Sequence, residues 1–528
     1  SLELMQAVSA TLNVRRVVWV TCMAQSFSAG TTPAMTHAAW SEALHPEIFR
    51  ALLRKLQHCG ASAVCWQKFK EENFKKEPGA FDTVFKTTNL KMAMGGSKRE
   101  VYSPDLTIRG TSAHRLSAHL CCLQAHRSSR LHQATMSSLG EGITHFAVDL
   151  FQQIRQSKKE NIFYSPLSIM SAFAMTSLGA RGHTASEIQK VLHVNEIAEN
   201  AEGGGATKDP VERPGNIHHQ FQNLLTEFKK PTDAYELNVA NRLYAEKTIL
   251  FLQAYVDNVE KFYLAGVEPA DFVSAAEESR KTINSWVESQ TNKKIKNLLP
   301  SGSVDRSTAL VLLNAVYFKG KWHKEFKKED TGEGQFWLNK DTSRPVQVMK
   351  QTNLFNCMSP EDMQVKILEI PYKGQELSMF LLLPNDVDGL QQLEDQLTAE
   401  KLIEWTSPQN MNQREIELHL PQFKVEETYD LKPMLRALGM VDAFTEGKAD
   451  FSGMSKVREL KVSEAFHKSF VEVNEEGTEA TAVTGVEAVI RSAVFPESFH
   501  CDHPFLFLIK HNKTNSLLFY GRVSSPEM

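Results

Sequence analysis

From position 136 onward, apolar residues recur at spacings that mark out elements. Ile143, Phe146, Ala147, Leu150, Phe151 and Ile154 fall at helical spacing and predict an amphipathic helix. Ser165 followed by Pro166 reads as a helix start, with a hydroxyl cap and then proline at the first helical position. The helix after it is apolar almost all round, through Ile169, Met170, Ala172, Phe173, Met175 and Leu178, so it is expected to be buried, with Gly179 at its end. Thr184 and Glu187 have the spacing of a capping box that opens another helix. Residues 195–215 are polar, Gly-rich and Pro-containing, hence a loop, and residues 282–295 around Trp286 read as helical.

Strands dominate the second half. Residues 311–318 form an apolar run broken only by Asn314, which predicts a central buried strand whose Asn needs hydrogen-bond partners. Residues 365–384 are strand-like on both sides of Lys373-Gly374. Residues 416–425 alternate and precede a helix over 429–438. Residues 463–473 are a strand, and 505–510 and 516–522 are two more with a turn between them. Early helices followed by many strands indicate an α+β fold.

One segment carries two patterns at once. Over 478–491, Thr478, Ala480, Ala482, Thr484, Val486, Ala488 and Ile490 form one face, and the charges Glu479, Glu487 and Arg491 lie on the other. That alternation describes a half-buried strand. Its small side chains, Gly477 and Gly485, and the Arg491-Ser492 pair before Pro496 suit an exposed loop instead. The two patterns together suggest a segment with two homes, one exposed and one inside a sheet.

Residues 1–135 differ from the rest. They lack sustained periodicity apart from a possible helix over 45–57. They hold 17 Lys/Arg against 9 Asp/Glu, a net +8, so the remainder carries −12 of the total −4. Five of the seven cysteines also lie here. His114, His119, Cys121, Cys122 and His126 invite a metal reading, but there is no Cys-x-x-Cys pair and adjacent cysteines suit a tetrahedral site poorly, so no metal is expected. This part is read as a poorly ordered or non-native extension to a domain spanning 136–528. Cys357 and Cys501 are too isolated to form a disulfide framework, which favours a reducing compartment. The acidic balance argues against nucleic acid as the main partner, and no apolar run is long enough for a bilayer. Arg15-Arg16 before a short apolar stretch is not read as a targeting signal. No Gly-x-Ser-x-Gly elbow, phosphate loop or His-Glu-x-x-His is present, so an enzyme is not expected. Asn512-Lys-Thr514 matches a glycosylation sequon, a short pattern that chance supplies often.

Several separated segments, in order, resemble the serpin family: Asn161 through Ile169 (NIFYSPLSI), Asn314 through Trp322 (NAVYFKGKW), His467-Lys468, the hinge from Glu475 to Ala482, and Phe499 through Ile509 (FHCDHPFLFLI). The resemblance covers all of 136–528. Within the family the chain is similar to the intracellular ov-serpin (clade B) group, and 221–228, 278–296 and 506–526 resemble its squamous cell carcinoma antigen branch. The resemblance implies three β-sheets, about nine helices and an exposed reactive loop from Glu475 to about Pro496. It implies a scissile bond between Arg491 and Ser492, and a hinge of Glu475, Gly477, Thr478, Ala480 and Ala482. Ser165, Asn314 and His467 match a polar cluster beneath the opening of the main sheet, structural rather than catalytic. Phe318 and Trp322 match the top of that sheet.

The implied activity is suicide inhibition of trypsin-like serine proteases. The alternatives are cross-class inhibition of papain-like (cathepsin-type) cysteine proteases, with Ile490 as the apolar residue before the cut, and a non-inhibitory binding protein. A cytoplasmic monomer without cofactors is expected, with release to the extracellular space also open. One position departs from the pattern: many serpins place Lys or Arg after the Leu420-Pro421 pair, facing the hinge glutamate, and this chain has Gln422. Thr481 and Val483 interrupt the usual run of alanines, but on the face expected to point outward after insertion.

Overall fold

The computed structural model of the protein describes residues 139–194, 216–457, 460–475 and 496–527. The expected helix over 45–57, the His/Cys group at 114–126, the domain boundary at 135/136, the loop 195–215 and everything in the 475–492 segment after Glu475 lie outside them.

Helix α1 covers residues 139–157. Strand β1 (Ile162–Tyr164) leads into α2 (Pro166–Ser177) and α3 (Gly182–Val191). Then follow α4 (Ile217–Phe228), β2 (Tyr235–Glu246), α5 (Gln253–Tyr263), β3 (Gly266–Ala270) and α6 (Phe272–Gln290). The rest is mainly strand: β4 (Leu310–Gly320), β5 (Gly332–Asn339), β6 (Thr342–Met358), β7 (Val365–Pro371), β8 (Leu377–Pro384), β9 (Asn412–Pro421), β10 (Phe423–Asp430), β11 (Glu464–Val473), β12 (Glu497–His500), β13 (Phe505–His511) and β14 (Ser516–Val523). Helices α7 (Leu390–Gln396) and α8 (Ala399–Trp405) separate β8 from β9, and α9 (Leu431–Leu438) follows β10. The described residues thus hold nine α-helices and 14 strands in an α+β arrangement.

A five-stranded sheet has the order β10-β11-β4-β2-β3. A second path runs β1-β14-β13-β8-β7-β6-β9-β12, with β5 also on β6. Its two groups of strands meet along a short stretch of β6. The body of that strand pairs with β5 and β9, while only Asn356, Cys357 and Met358 pair with β7. The third expected sheet is thus continuous with the second through this three-residue junction, and the described residues form one nine-stranded and one five-stranded hydrogen-bonded network.

Both faces of the five-stranded sheet are covered. Phe466 and Phe470 of β11, with Leu313, Ala315 and Tyr317 of β4, pack against Phe272, Ile283 and Val287 of α6. On the other face Ala465, Val471, Leu312, Val316 and Phe318 join the main core with α1, α2 and the β13–β14 hairpin. A strand covered on both sides needs apolar residues throughout, and β4 is buried from Leu310 to Phe318. Helix α2 runs through this core. Every residue from Pro166 to Thr176 is buried, and the Ser165 side chain caps it by accepting from the Ser168 amide.

Local details differ from the sequence reading. Helix α3 begins at Gly182, and Arg181 at its N-cap offers no side-chain bond. Thr184 and Glu187 cap other chain segments instead. Thr184 accepts from the Asp450 amide at 3.0 Å, and Glu187 accepts from the amides of Val441 and Asp442 at 2.9 and 2.7 Å. Gly179 does not end α2 through a left-handed turn. A Cβ there would lie 2.5 Å from that of Met454, so the glycine permits close packing. Residues 416–425 are parts of two strands divided at Gln422, and β10 carries on to Asp430, so the next helix starts at Leu431. Helix α6 begins ten residues before the expected position, at Phe272, capped by Asp271.

Candidate functional site

The two central strands of the five-stranded sheet, β4 and β11, run parallel, although their chain neighbours in the sheet pair antiparallel to them. Eight register pairs join them, from Glu464–Val311 to Val471–Phe318. Beyond Val471 and Phe318 the pairing stops, yet β11 runs on to Val473 and β4 to Gly320. The seam is therefore open at that end. A strand laid between them and running the other way would be antiparallel to both. It would replace one slanted parallel ladder with two antiparallel ones, which are slightly more stable per residue. The chain leaves β11 at Val473, reaches Glu475, and is next described at residue 496.

A polar cluster lies under the middle of the seam. Asn314 and His467 are register partners across it. Both are buried, His467 completely. The Ser165 amide donates to His467 Nε2 at 3.1 Å. An amide can only donate, so Nε2 is unprotonated and the ring proton sits on Nδ1. Nδ1–H donates to Asn314 Oδ1, which fixes the Asn314 amide the other way round. Its Nδ2 then donates to the Ser168 carbonyl (3.1 Å), to Ser168 Oγ and to Asn241 Oδ1. Asn241 Nδ2 in turn donates to Ser171 Oγ at 2.9 Å, and Ser171 Oγ to the Ser168 carbonyl at 2.8 Å. One run of donors thus ties β11, β4 and β2 to helix α2. Ser165 Oγ extends it to β14 by donating to the Leu518 carbonyl at 2.7 Å. Ser469, two residues along β11, donates to the Phe163 carbonyl at 2.6 Å. Burial lowers the His467 pKa to about 3, so the ring is neutral at physiological pH.

The open end of the seam is closed by aromatic side chains. Trp322, 3% exposed, stacks on Tyr372 at 4.6 Å and meets Phe326 edge-on. Its indole N–H donates to the Asn474 carbonyl at 2.9 Å, holding the chain one residue before Glu475. Phe318 is buried and packs edge-on against the same Tyr372 at 5.4 Å.

The family profile described as Serpin (serine protease inhibitor) matches residues 141–526. This chain belongs to the serpin family. Human Serpin B3, a squamous cell carcinoma antigen, is 60% identical over 392 residues, covering 74% of this chain and all of that protein. This places the serpin in the clade B, or ov-serpin, branch. Uncleaved ovalbumin superposes with a TM-score of 0.66 at 43% identity, covering 74% of this chain and all of that one. A loop-inserted structure of a cleaved ovalbumin mutant does so at 0.65 with 40% identity and the same coverage. The family description is that of inhibitors of proteases.

The structure brings Ser165, Asn314 and His467 into one hydrogen-bonded cluster, and it sets Phe318 and Trp322 together on Tyr372. Gln422 is half-buried between β9 and β10, and its backbone N–H donates to the Gln347 carbonyl at 2.8 Å. Glu475 is buried. Among the described residues no hydrogen bond or ion pair joins the two side chains. Gly477, Thr478, Ala480, Ala482, Arg491 and Ser492 lie outside the described residues. Sequence reasoning missed Asn241, Ser168 and Ser171. Ser168 and Ser171 had a visible signal, as hydroxyls three residues apart in an otherwise apolar buried helix. Asn241 stands directly opposite Asn314 in the β2–β4 register, which only strand pairing reveals.

Proposed function

We propose that this serpin is a suicide inhibitor of trypsin-like serine endopeptidases, cut between Arg491 and Ser492. The observation that carries the reading is the parallel β4–β11 seam, with the chain leaving β11 directly into a segment of alternating small residues. The Arg491 guanidinium suits an acidic specificity pocket. The protease serine attacks the Arg491 carbonyl carbon, the bond to the Ser492 nitrogen breaks, and Ser492 leaves as an amine with a proton from the enzyme's histidine. Arg491 is then esterified to the protease. Freed at one end, the segment adds to the sheet as an antiparallel strand between β4 and β11, as serpin loops do. Thr478, Ala480 and Ala482 face the core. The tethered protease is carried away and its active site distorted before water can release it.

The likeness to Serpin B3 and the apolar Ile490 support a second reading, cross-class inhibition of cathepsin-type cysteine proteases. A non-inhibitory binding protein is disfavoured, because Thr478, Ala480 and Ala482, the hinge residues assigned to the inward face, are neither bulky nor charged. The partner is the target protease. The serpin acts as a cytoplasmic monomer needing no cofactor; Cys357 and Cys501 are free thiols, in keeping with a reducing compartment.

The test is incubation of the full chain with trypsin-like and cathepsin-type proteases, followed by a denaturing gel. A complex that survives boiling, with a cut after Arg491, is expected with the trypsin-like enzymes, and Arg491→Ala should lower their inhibition rate at least a hundredfold. Complexes with cathepsins alone would favour the second reading. Cleavage without a stable complex in every case would overturn inhibition altogether.

A further inference from the structure

Strand β12 receives the chain just after residue 495, and it is held to β9 by four parallel pairs, Glu497–Ile416 to His500–His419. Alternation along strands puts Glu417, His419 and His500 on one face. Their side chains converge. One ring nitrogen from each histidine and a Glu417 carboxylate oxygen all lie within 4.8 Å of one another. The two imidazoles stack at 4.0 Å, and His419 Nε2 sits 3.3 Å from Glu417 Oε1.

His500 supplies the observation that turns this grouping into a site. Its Nε2 is sealed from solvent and has no hydrogen-bond partner. A buried ring nitrogen left unpaired needs a reason, and here its ring lies against a second imidazole in a grouping that includes a carboxylate. We propose that Glu417, His419 and His500 form a binding site for a divalent transition-metal ion of the zinc class, which clips β12 to β9.

The donor set suits that class. Two imidazoles and one carboxylate bind zinc through bonds of about 2.0–2.2 Å, leaving a fourth position for water. Tetrahedral bonds of that length hold ligand atoms roughly 3.4 Å apart. To bind one ion the two stacked rings must splay so that their in-plane lone pairs converge, while the Glu417 side chain, 46% exposed, turns in to complete the set. Lys350, the register partner of His419 on β6, opposes a cation, but it is exposed and its long stem lets the charge move clear. Hard cations such as calcium prefer all-oxygen sets and are excluded.

An ion here would join two strands whose residues are far apart in sequence. It would add a cross-link at the point where the chain from residues 476–495 rejoins the fold. Its existence does not depend on the inhibitory reading.

The experiment is equilibrium dialysis of the metal-stripped full chain against Zn²⁺, with bound metal counted for the parent, His500→Ala and His419→Ala. Each variant should bind one equivalent fewer than the parent, which separates this site from any other histidines and cysteines. Zinc should raise the parent's thermal midpoint and leave that of His500→Ala unmoved or raise it less. Glu417→Gln changes an exposed side chain and serves if the histidine variants fold poorly; it should weaken the same equivalent at least tenfold. Equal stoichiometry in the parent and in every folded variant would overturn the proposal, as would a zinc-induced rise in midpoint that survives in all of them.

Discussion

His467 makes two hydrogen bonds of opposite sense, and each is forced by its partner. The Ser165 amide can only donate, so the ring must donate from its other nitrogen, and Asn314 must present its oxygen. Removing Asn314 strands the buried His467 Nδ1–H and leaves Asn241 Oδ1 with only the Ser168 hydroxyl at 3.5 Å, while the Ser168 carbonyl keeps its bond from Ser171. A buried polar group left unsatisfied costs about 1–3 kcal/mol. Asn314→Ala is therefore expected to destabilise the fold by roughly 2–5 kcal/mol, measured by denaturant unfolding, and to speed polymerisation on warming. A loss below about 0.5 kcal/mol would mean that water or a rearranged Ser168 replaces the amide. The resemblance named Asn314, His467 and Ser165 from sequence, but their bonding partners were not legible. Asn241 lies 73 positions from Asn314 and meets it only through the β2–β4 register. The Glu417, His419 and His500 grouping escaped for the same reason, since it needs the β9–β12 pairing.

At the scale of elements, the seam between β4 and β11 decides what the chain after Val473 can do. Alternation along that chain assigns Thr478, Ala480 and Ala482 to the face that would meet α2 and the main core. Arginine at 478 would carry a charge into that space, where desolvation costs several kcal/mol. Thr478→Arg should turn the inhibitor into a substrate, cut after Arg491 without a stable complex on a denaturing gel. Stable complex formed in the parent's yield would refute insertion. The open end of the same seam is held by Trp322. Trp322→Phe keeps an aromatic ring against Tyr372 and deletes the hydrogen bond to the Asn474 carbonyl. A neutral hydrogen bond is worth about 0.5–1.5 kcal/mol net, so the seam should open roughly two- to tenfold more often. Faster heat-induced polymerisation with unchanged protease specificity is the expected result; an unchanged rate would show that packing on Tyr372 suffices. Strongly patterned elements were legible here. The Ser165 cap, the buried α2 and the β13–β14 hairpin all fall at or near their expected positions. The errors were at ends and caps. Thr184 and Glu187 have the spacing of a capping box, but tertiary neighbours at Asp450 and Val441 claim their oxygens. No local pattern reports such a claim.

For the whole molecule, the α+β class followed from the order of helical and alternating segments, while the sheet order did not. Pairing β11 with β4 joins strands about 150 residues apart, and periodicity fixes only which face of each strand is buried. The assembled core also sets how the protein responds to acid. Burial lowers the pKa of His218 and His467 to about 3 and of His511 to about 4. In the unfolded chain each returns to about 6.5. Between these values the unfolded state binds more protons than the native one, so stability falls as pH falls from about 6.5 toward 4. Three such groups give a slope of at most roughly 4 kcal/mol per pH unit. The share due to His467 can be isolated. Glutamine at 467 offers an acceptor oxygen for the Ser165 amide and a donor for Asn314, but it does not titrate. His467→Gln should thus be somewhat less stable than the parent at pH 7.5, because its geometry is imperfect, and should lose less stability on going to pH 5. The measurement is the denaturant midpoint of both proteins at the two pH values. If the two midpoints fall by the same amount, His467 is protonated in the native state well above pH 3, and the Ser165 amide does not hold Nε2 as an acceptor.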